Sequence, residues 1–428
     1  MAAHYSIECL ANGTRFTEDT LQLFNPDAAE PAFLRTVYPA RPPKFGPAEE
    51  GIYRFAEWLP IRRRLEGSSA PITYRSRGLA EHLGLENLFV TFSGYWPERG
   101  ARMLTGTFKE CEAYSVCARM GDDFDSVLVV SSAGNTARAF ARVCSDNRIP
   151  LLITIPEQNL DSTWSIGPLA PTVKIVVASG DSDYADAIHL GGIIASLPGY
   201  TPEGGAKNIA RRDGMGTTVL SAVEAIGEIP HHYFQAVGSG TGAIAAWEAN
   251  LRFIETGAYG NRKMRLHVSQ NAPFQILHDS WTAGQRTLVE LDEETARSQV
   301  AQINAKVLAN RHPPYSPRGG LFDALTDSNG TTAAIPNDEA SAAGAIFRET
   351  EGVDVAVAAS VAVADLIRHV ESGAIAPEEI VMLNATGGGQ ERIRAELNVV
   401  PVTPACAISR NDFTPEAVAS AIKDLFFS

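Results

Sequence analysis

Short β-branched runs alternate with helically spaced segments from about residue 124 onward, and this alternation restricts the chain to a parallel-sheet architecture. Residues 126–130, 151–155 and 173–177 read as strands. Residues 136–148 have helical spacing, and residues 181–195 read as a helix capped by Asp181. Strand, helix, strand in that order requires crossover connections, which lay helices on both faces of a parallel sheet. A break follows at Pro198-Gly199-Tyr200-Thr201-Pro202-Glu203-Gly204-Gly205, and the alternation then resumes. The spacing predicts a helix over 213–227, a strand over 233–237, a helix over 241–256 and a strand over 264–269. Residues 271–335 are rich in loops. Helices over 339–349 and 358–371 flank an expected strand at 353–357, and 380–384 is the final strand. Residues 1–50 read as an irregular, proline-rich arm, and 52–65 as an amphipathic helix. The expected fold class is α/β, with two α/β domains and mostly parallel sheets. Residues 1–123 and 216–428 form the expected large domain and residues 124–215 a small mobile one, with a ligand cleft between them.

Composition narrows the partners. The chain has 428 residues, 45% hydrophobic and 20% charged, enough for two or three domains with real cores. Its net charge is −14, and it has no lysine or arginine block of the kind that binds nucleic acid or an anionic membrane. Arg62-Arg63-Arg64 reads as a solvated helix face. The five cysteines (Cys9, Cys111, Cys117, Cys144 and Cys406) lack paired spacing, which argues against a disulfide framework and a zinc site. They read as reduced, mostly buried residues. No targeting segment and no apolar run near a membrane span of about 18 residues is visible, so the expected location is the cytoplasm.

Three segments carry chemistry-bearing residues in a consistent order, and a fourth closes the last strand. Lys109 lies in Leu104-Thr105-Gly106-Thr107-Phe108-Lys109-Glu110, ahead of an apolar helical stretch. Most lysines at such positions are solvated. Here the tight, partly apolar setting favours a buried amine with a depressed pKa, the form that condenses with carbonyls. Ser132-Ala133-Gly134-Asn135-Thr136 follows a strand and opens a helix; it reads either as a plain helix cap or as a turn whose N–H groups receive a carboxylate. Gly238-Ser239-Gly240-Thr241-Gly242 joins a strand to a helix, where backbone N–H groups bind phosphate. With Ala243 it also matches a dinucleotide fingerprint, but the next strand ends His267-Val268-Ser269-Gln270, without the carboxylate such a site wants. An ordinary tight turn is the plainer alternative. Asn384-Ala385-Thr386-Gly387-Gly388-Gly389 ends the last strand, as a flexible loop or as a site edge carrying the Thr386 hydroxyl.

Together these four segments resemble the threonine-synthase branch of fold-type II pyridoxal-phosphate enzymes (tryptophan synthase β-like). Within that branch the chain is most similar to the cysteate-forming group of methanogenic archaea. The longer stretches Ala32-Phe33-Leu34-Arg35-Thr36-Val37-Tyr38, His232-Tyr233-Phe234-Gln235-Ala236-Val237-Gly238-Ser239-Gly240-Thr241-Gly242 and Gly320-Leu321-Phe322-Asp323-Ala324-Leu325-Thr326-Asp327 carry that finer similarity. The resemblance implies pyridoxal 5'-phosphate as cofactor, with Lys109 as its Schiff-base lysine and general base. It implies Asn135 at the cofactor's 3-hydroxyl, Thr386 at its pyridine nitrogen, and Gly238, Ser239, Gly240, Thr241 and Gly242 around its phosphate. Ser132, Ala133, Gly134 and Thr136 would receive the substrate carboxylate. Arg211 falls where relatives carry an arginine for the substrate phosphate. Relatives often have N-terminal cysteine pairs; only Cys9 stands here, so a metal ribbon is not expected. The implied reaction is a β-replacement of O-phospho-L-serine by sulfite, giving L-cysteate and phosphate for coenzyme M synthesis in a homo-oligomeric enzyme. Threonine formation from O-phosphohomoserine is the neighbouring alternative. A nucleotide-dependent dehydrogenase or a non-catalytic ligand-binding module is the distant one.

Overall fold

The computed structural model describes residues 4–17, 21–132, 134–160 and 163–426. Two mainly parallel sheets organise it. The labelled strands are β1 (Ile72–Arg75), β2 (Asn87–Phe92), β3 (Val127–Ser131), β4 (Leu151–Pro156), β5 (Val173–Ser179), β6 (Tyr200–Pro202), β7 (His232–Ala236), β8 (Arg265–Asn271), β9 (Thr331–Ile335), β10 (Ile380–Ala385) and β11 (Cys406–Ser409). One sheet has six strands in the order β9-β8-β7-β10-β2-β1, parallel except for the antiparallel edge strand β1. The other has five parallel strands in the order β6-β3-β4-β5-β11. The central strands β4 and β7 are buried along their whole length, β4 as a nearly continuous apolar run and β7 with His232 and Gln235 buried in it, because helices cover both faces.

The site-bearing helices are α1 (Lys109–Arg119), α2 (Asn135–Asp146), α3 (Tyr184–Ala195), α4 (Ile209–Ile226), α5 (Thr241–Thr256), α6 (Asn337–Glu351) and α7 (Val357–Glu371). Helix α1 packs between α2 and α4. Its contact with α4 is close enough to require glycine, because a Cβ on Gly214 would lie 2.3 Å from the Cys111 carbonyl oxygen. That approach brings Arg211, one turn earlier on α4, beside Glu112 of α1 at 3.3 Å. Asp213 ties the N-terminal arm to the same helix: it accepts hydrogen bonds from Thr36 Oγ1 at 2.6 Å and Tyr38 OH at 2.7 Å, and pairs with Arg252. One apolar core runs from the arm through α1, α4 and α5 to β3 and β4, which binds the two sheets into one packed body.

The structure departs from the sequence expectations at several places. Helix α3 starts at Tyr184 and is capped by Asp183, not Asp181, through a reciprocal capping box with Asp186; Asp181 instead holds a left-handed backbone with φ 58°. Helix α4 begins at Ile209 rather than at residue 213, with Asn208 as its cap, so Arg211 lies within its first turn. The strand expected at 353–357 does not form. Helices α6 and α7 pack against each other, and the residues between them turn directly from one helix to the next, held to the loop at 387–390 by a bridge of Val355 to Gly388 and by hydrogen bonds of Asp354 and Ala356. Strands β1, β2 and β9 extend the sheet beyond the expected set, and residues expected to be a plain arm contribute a small antiparallel sheet of Ser6–Cys9, Arg15–Phe16 and Leu34–Val37. The expected division put residues 216–428 wholly in the larger unit, yet β11 pairs with β5 of the five-stranded sheet. All five cysteine thiols are free, and four are buried. Among the described residues no helix is long and apolar enough to cross a membrane.

Candidate active site

The chemistry-bearing loops leave the carboxyl ends of parallel strands and meet in one cleft of about 1230 Å³. Strand β3 delivers Ser132, Gly134, Asn135 and Thr136; β7 delivers Gly238 to Gly242; β10 delivers Thr386; the segment after β6 leads to Arg211; and Lys109 enters as the first residue of α1. Every sequence-derived candidate that the structure describes lines this cleft. Ala133 lies outside the described residues.

Lys109 is largely enclosed, with 18% of its side chain exposed, and Nζ donates to Glu112 Oε2 at 3.2 Å. Burial pushes its ammonium below the ordinary lysine range; the Glu112 carboxylate opposes that fall and the Arg211 guanidinium adds to it. Nζ also lies 4.8 Å from the centre of the Phe108 ring. Arg211, expected at the substrate phosphate, is largely buried and already paired. Its Nε and Nη2 donate to Glu203 at 2.8 and 2.5 Å, and Nη1 lies 3.3 Å from Glu112 Oε1. These carboxylates outweigh burial and hold the guanidinium firmly protonated. Arg212 is buried more deeply still and bonds Glu248 at 3.0 Å.

The glycine turn opens α5. Packing demands its glycines: a Cβ on Gly238 would lie 3.0 Å from Leu308 Cα, and one on Gly242 only 2.5 Å from Gln235 Nε2. Gly240 adds a left-handed φ of 77°. The N–H groups of Gly238, Ser239, Gly240 and Gly242 find no acceptor among the described residues, while Ser239 Oγ and Thr241 Oγ1 lie 2.8 Å apart. A row of unclaimed donors at a helix N-terminus is what a phosphate group needs. Asn135 Oδ1 accepts from Arg138 Nη2 at 2.6 Å, which leaves Nδ2 as a donor suited to a phenolic oxygen. The Thr386 hydroxyl has no protein partner among the described residues, whereas Thr136 Oγ1 is committed to Glu112 at 2.9 Å. These groups fit a phosphorylated pyridine aldehyde: an amine for the aldehyde, N–H donors for the phosphate, an amide for the phenolic oxygen and a hydroxyl for the ring nitrogen.

Comparison with known proteins agrees with that fit. The pyridoxal-phosphate dependent enzyme family matches residues 73–387. A cysteate synthase of Methanoculleus marisnigri is 46% identical over 394 residues, covering 92% of this chain and 90% of that protein. The cysteate synthase of Methanosarcina acetivorans is 40% identical over 410 residues, covering 95% and 97%. The chain belongs to the cysteate synthases. It is a pyridoxal-phosphate-dependent enzyme. Among solved structures, maize serine racemase superposes with a TM-score of 0.56 at 16% identity, covering 76% of this chain and 92% of that one. Threonine deaminase isoform 2 of Solanum lycopersicum gives 0.54 at 15% identity, covering 83% and 95%. At such identities these two show the fold alone, and that fold is the expected fold-type II.

Several residues that line the cleft or pack directly behind it were absent from the sequence-derived set. Glu112 and Glu203 are the carboxylates that neutralise Lys109 and Arg211, and Tyr184 lies half-buried close to the same charges. Arg138 lies 4.3 Å above the Trp164 ring and supports Asn135. Residues 305–317 wall the opening, held by Asn271 Oδ1 on the Ala305 N–H at 2.9 Å and by Arg311 on Asp183 at 2.5 Å. Seven lysines and arginines line the cleft against two carboxylates, so the site is locally cationic despite the net charge of −14. For Glu112 a signal was present in the sequence: two acidic residues interrupt an otherwise apolar stretch of helix, one of them three positions after Lys109.

Proposed function

We propose that this enzyme converts O-phospho-L-serine and sulfite to L-cysteate and phosphate by β-replacement, in the cytoplasm, as a step toward coenzyme M. The observation that carries the reading is the convergence of Lys109, the unclaimed donors of the glycine turn, Asn135 and Thr386 on one cationic cleft. Full-length identity to proteins named cysteate synthase supports the choice of substrates. Lys109 would bond to the cofactor aldehyde. Gly238, Ser239, Gly240, Thr241 and Gly242 would hold its phosphate, Asn135 its phenolic oxygen, and Thr386 its ring nitrogen. When bound, the cofactor supplies an electron sink for the pair left at the substrate Cα.

The remaining steps belong to the chain's own residues. Ser132, Gly134 and Thr136, at the N-terminus of α2, would receive the substrate carboxylate together with Ala133. Lys109 Nζ, once released by the substrate amine, takes the Cα proton as general base and later returns it. Between those transfers the Cβ–O bond breaks, and phosphate leaves with its electron pair. The sulfite sulfur lone pair then forms the Cβ–S bond, so no external oxidant or reductant is needed. Thr386 is a neutral hydroxyl and would not keep a ring nitrogen protonated as a carboxylate does, which favours prompt expulsion of a good leaving group. Arg211 is the candidate for the leaving phosphate, and a phosphate held two-point by it must displace Glu203. The division into a large unit and a mobile small unit of residues 124–215, joined by β11, belongs to the same proposal.

Borohydride reduction of the yellow holoenzyme followed by peptide mapping tests the assignment. Cofactor is expected on the peptide carrying Lys109, and Lys109→Ala should lose both the trapped cofactor and turnover. Trapping on a different lysine would remove Lys109 from the mechanism.

A further inference from the structure

We infer that Glu112 is the positioning residue that aims Lys109 Nζ and sets its basicity. The inference deepens the proposed function and rests on Lys109 as the cofactor lysine. One carboxylate collects three site residues, each from the first turn of a different helix. Glu112 Oε2 accepts from Lys109 of α1 at 3.2 Å. Glu112 Oε1 accepts from Thr136 of α2 at 2.9 Å and lies 3.3 Å from Arg211 of α4. The Glu112 side chain is fully buried, with 0% exposure.

Charge matching separates this role from a plain structural ion pair. A buried carboxylate persists only when it is paired. Arg211 already has a two-point partner in Glu203, so neutralising the guanidinium does not require Glu112. Two carboxylates facing one guanidinium would leave a surplus buried anion; Lys109 is the cation that balances it. The other charged and titratable groups facing this centre are Arg211 of α4, Glu203 after β6 and Tyr184 of α3. On the remaining sides, Glu110 is held by the Thr105 N–H and Arg138 by the Thr105 carbonyl and Asn135. When Lys109 is a neutral amine, this buried centre carries an excess negative charge. That excess draws a proton to Nζ, which is what the abstraction of the substrate Cα proton requires. The electrons of the broken C–H bond stay on Cα, and the proton moves to the Nζ lone pair beside Glu112.

The test compares wild type, Glu112→Gln and Glu112→Asp as full-length protein. Glutamine removes the charge and keeps one acceptor oxygen, for Thr136, while its amide NH2 replaces the oxygen that accepts from Lys109; aspartate keeps the charge on a shorter arm. Competitive acetylation of the cofactor-free chain across pH, read by mass spectrometry on the Lys109 peptide, reports the amine directly and without turnover. In Glu112→Gln the midpoint for Lys109 should fall by about one pH unit or more, since a carboxylate at this range shifts a neighbour by about 1–3 units. In the holoenzyme, kcat should fall about tenfold or more with KM changed less than about twofold, and Glu112→Asp should recover part of both effects. If Glu112→Gln folds poorly, the Glu112→Asp midpoint, expected to stay nearer wild type than that of any neutral variant that folds, carries the test. An unchanged Lys109 midpoint in Glu112→Gln, or a change in KM alone, overturns the inference. Borohydride trapping on another lysine would instead overturn the reading on which it rests.

Discussion

Two side chains at the site carry predictions that their surroundings define. Arg211 pairs two-point with Glu203 and lies beside Glu112 from inside the first turn of α4. Arg211→Ala would leave two buried carboxylates facing one lysine, and breaking a buried pair from one side costs about 3–5 kcal/mol. A drop in unfolding free energy of that order, read from denaturant melts, is expected, together with a rise in the Lys109 midpoint, because the guanidinium now depresses it. A variant of wild-type stability that only binds phosphoserine more weakly would make Arg211 a substrate ligand and not a structural cation. Glu110 makes a prediction about pH. Loss of hydration on burial pushes its carboxyl up from 4.5 to about 7, against the opposing Thr105 N–H. The folded state thus holds this proton more tightly than the unfolded chain does. Its contribution to stability is complete below about pH 4.5 and is lost as pH rises through about 7. Glu110→Gln should flatten that decline, with a difference across the window on the order of 1–3 kcal/mol in melts taken from pH 4 to 8. Identical slopes for the two proteins would show that Glu110 is ionised throughout. Lys109, Asn135 and Thr386 were legible in the sequence because each is tied to a strand end or a helix start. Glu112 left only the weak signal of an acidic residue three positions after Lys109, since a glutamate on a helix ordinarily faces water, and only packing against α2 and α4 buries this one.

The elements divide along similar physical lines. The β3–α2 and β7–α5 units were legible because an apolar run, a turn rich in small residues and a helical period follow each other within one short segment. Helix α3 shows the limit of such reading. Asp181 and Asp183 are equally good caps by residue type, and the choice fell to Asp183 because Asp186 completes the capping box. The alternation of valines over 353–357 has the period of a strand, but the packed helices α6 and α7 need that segment as their connection. Partners for β11 and β9 are set by long-range pairing that no local period encodes. The turn between β7 and α5 carries its own prediction. Gly238 packs against Leu308 Cα, so a branched side chain there must push residues 305–309 off the glycine turn. Gly238→Val should weaken cofactor binding by about tenfold or more, equivalent to about 1.4 kcal/mol, in a titration of the cofactor-free chain. Undiminished affinity would place the cofactor phosphate elsewhere.

At the scale of the whole molecule, the two parallel sheets place their carboxyl ends on a common cleft, and the loops there gather positive charge that the overall composition conceals. The reactants and products of the proposed reaction are all anions, and they call for such a locally cationic site in an acidic chain. The residues that supply it, including Lys207, Lys306 and Arg311, lie in loops without a readable motif. The account stands on one reaction, and its direct measurement is proton and phosphorus NMR of the holoenzyme in D2O with O-phospho-L-serine, with and without sulfite, beside a parallel sample containing O-phospho-L-homoserine. The predicted result is sulfite-dependent L-cysteate, deuterated at Cα and formed in step with inorganic phosphate, and no threonine. Phosphoserine left intact in the presence of sulfite, with threonine forming from phosphohomoserine, would contradict it.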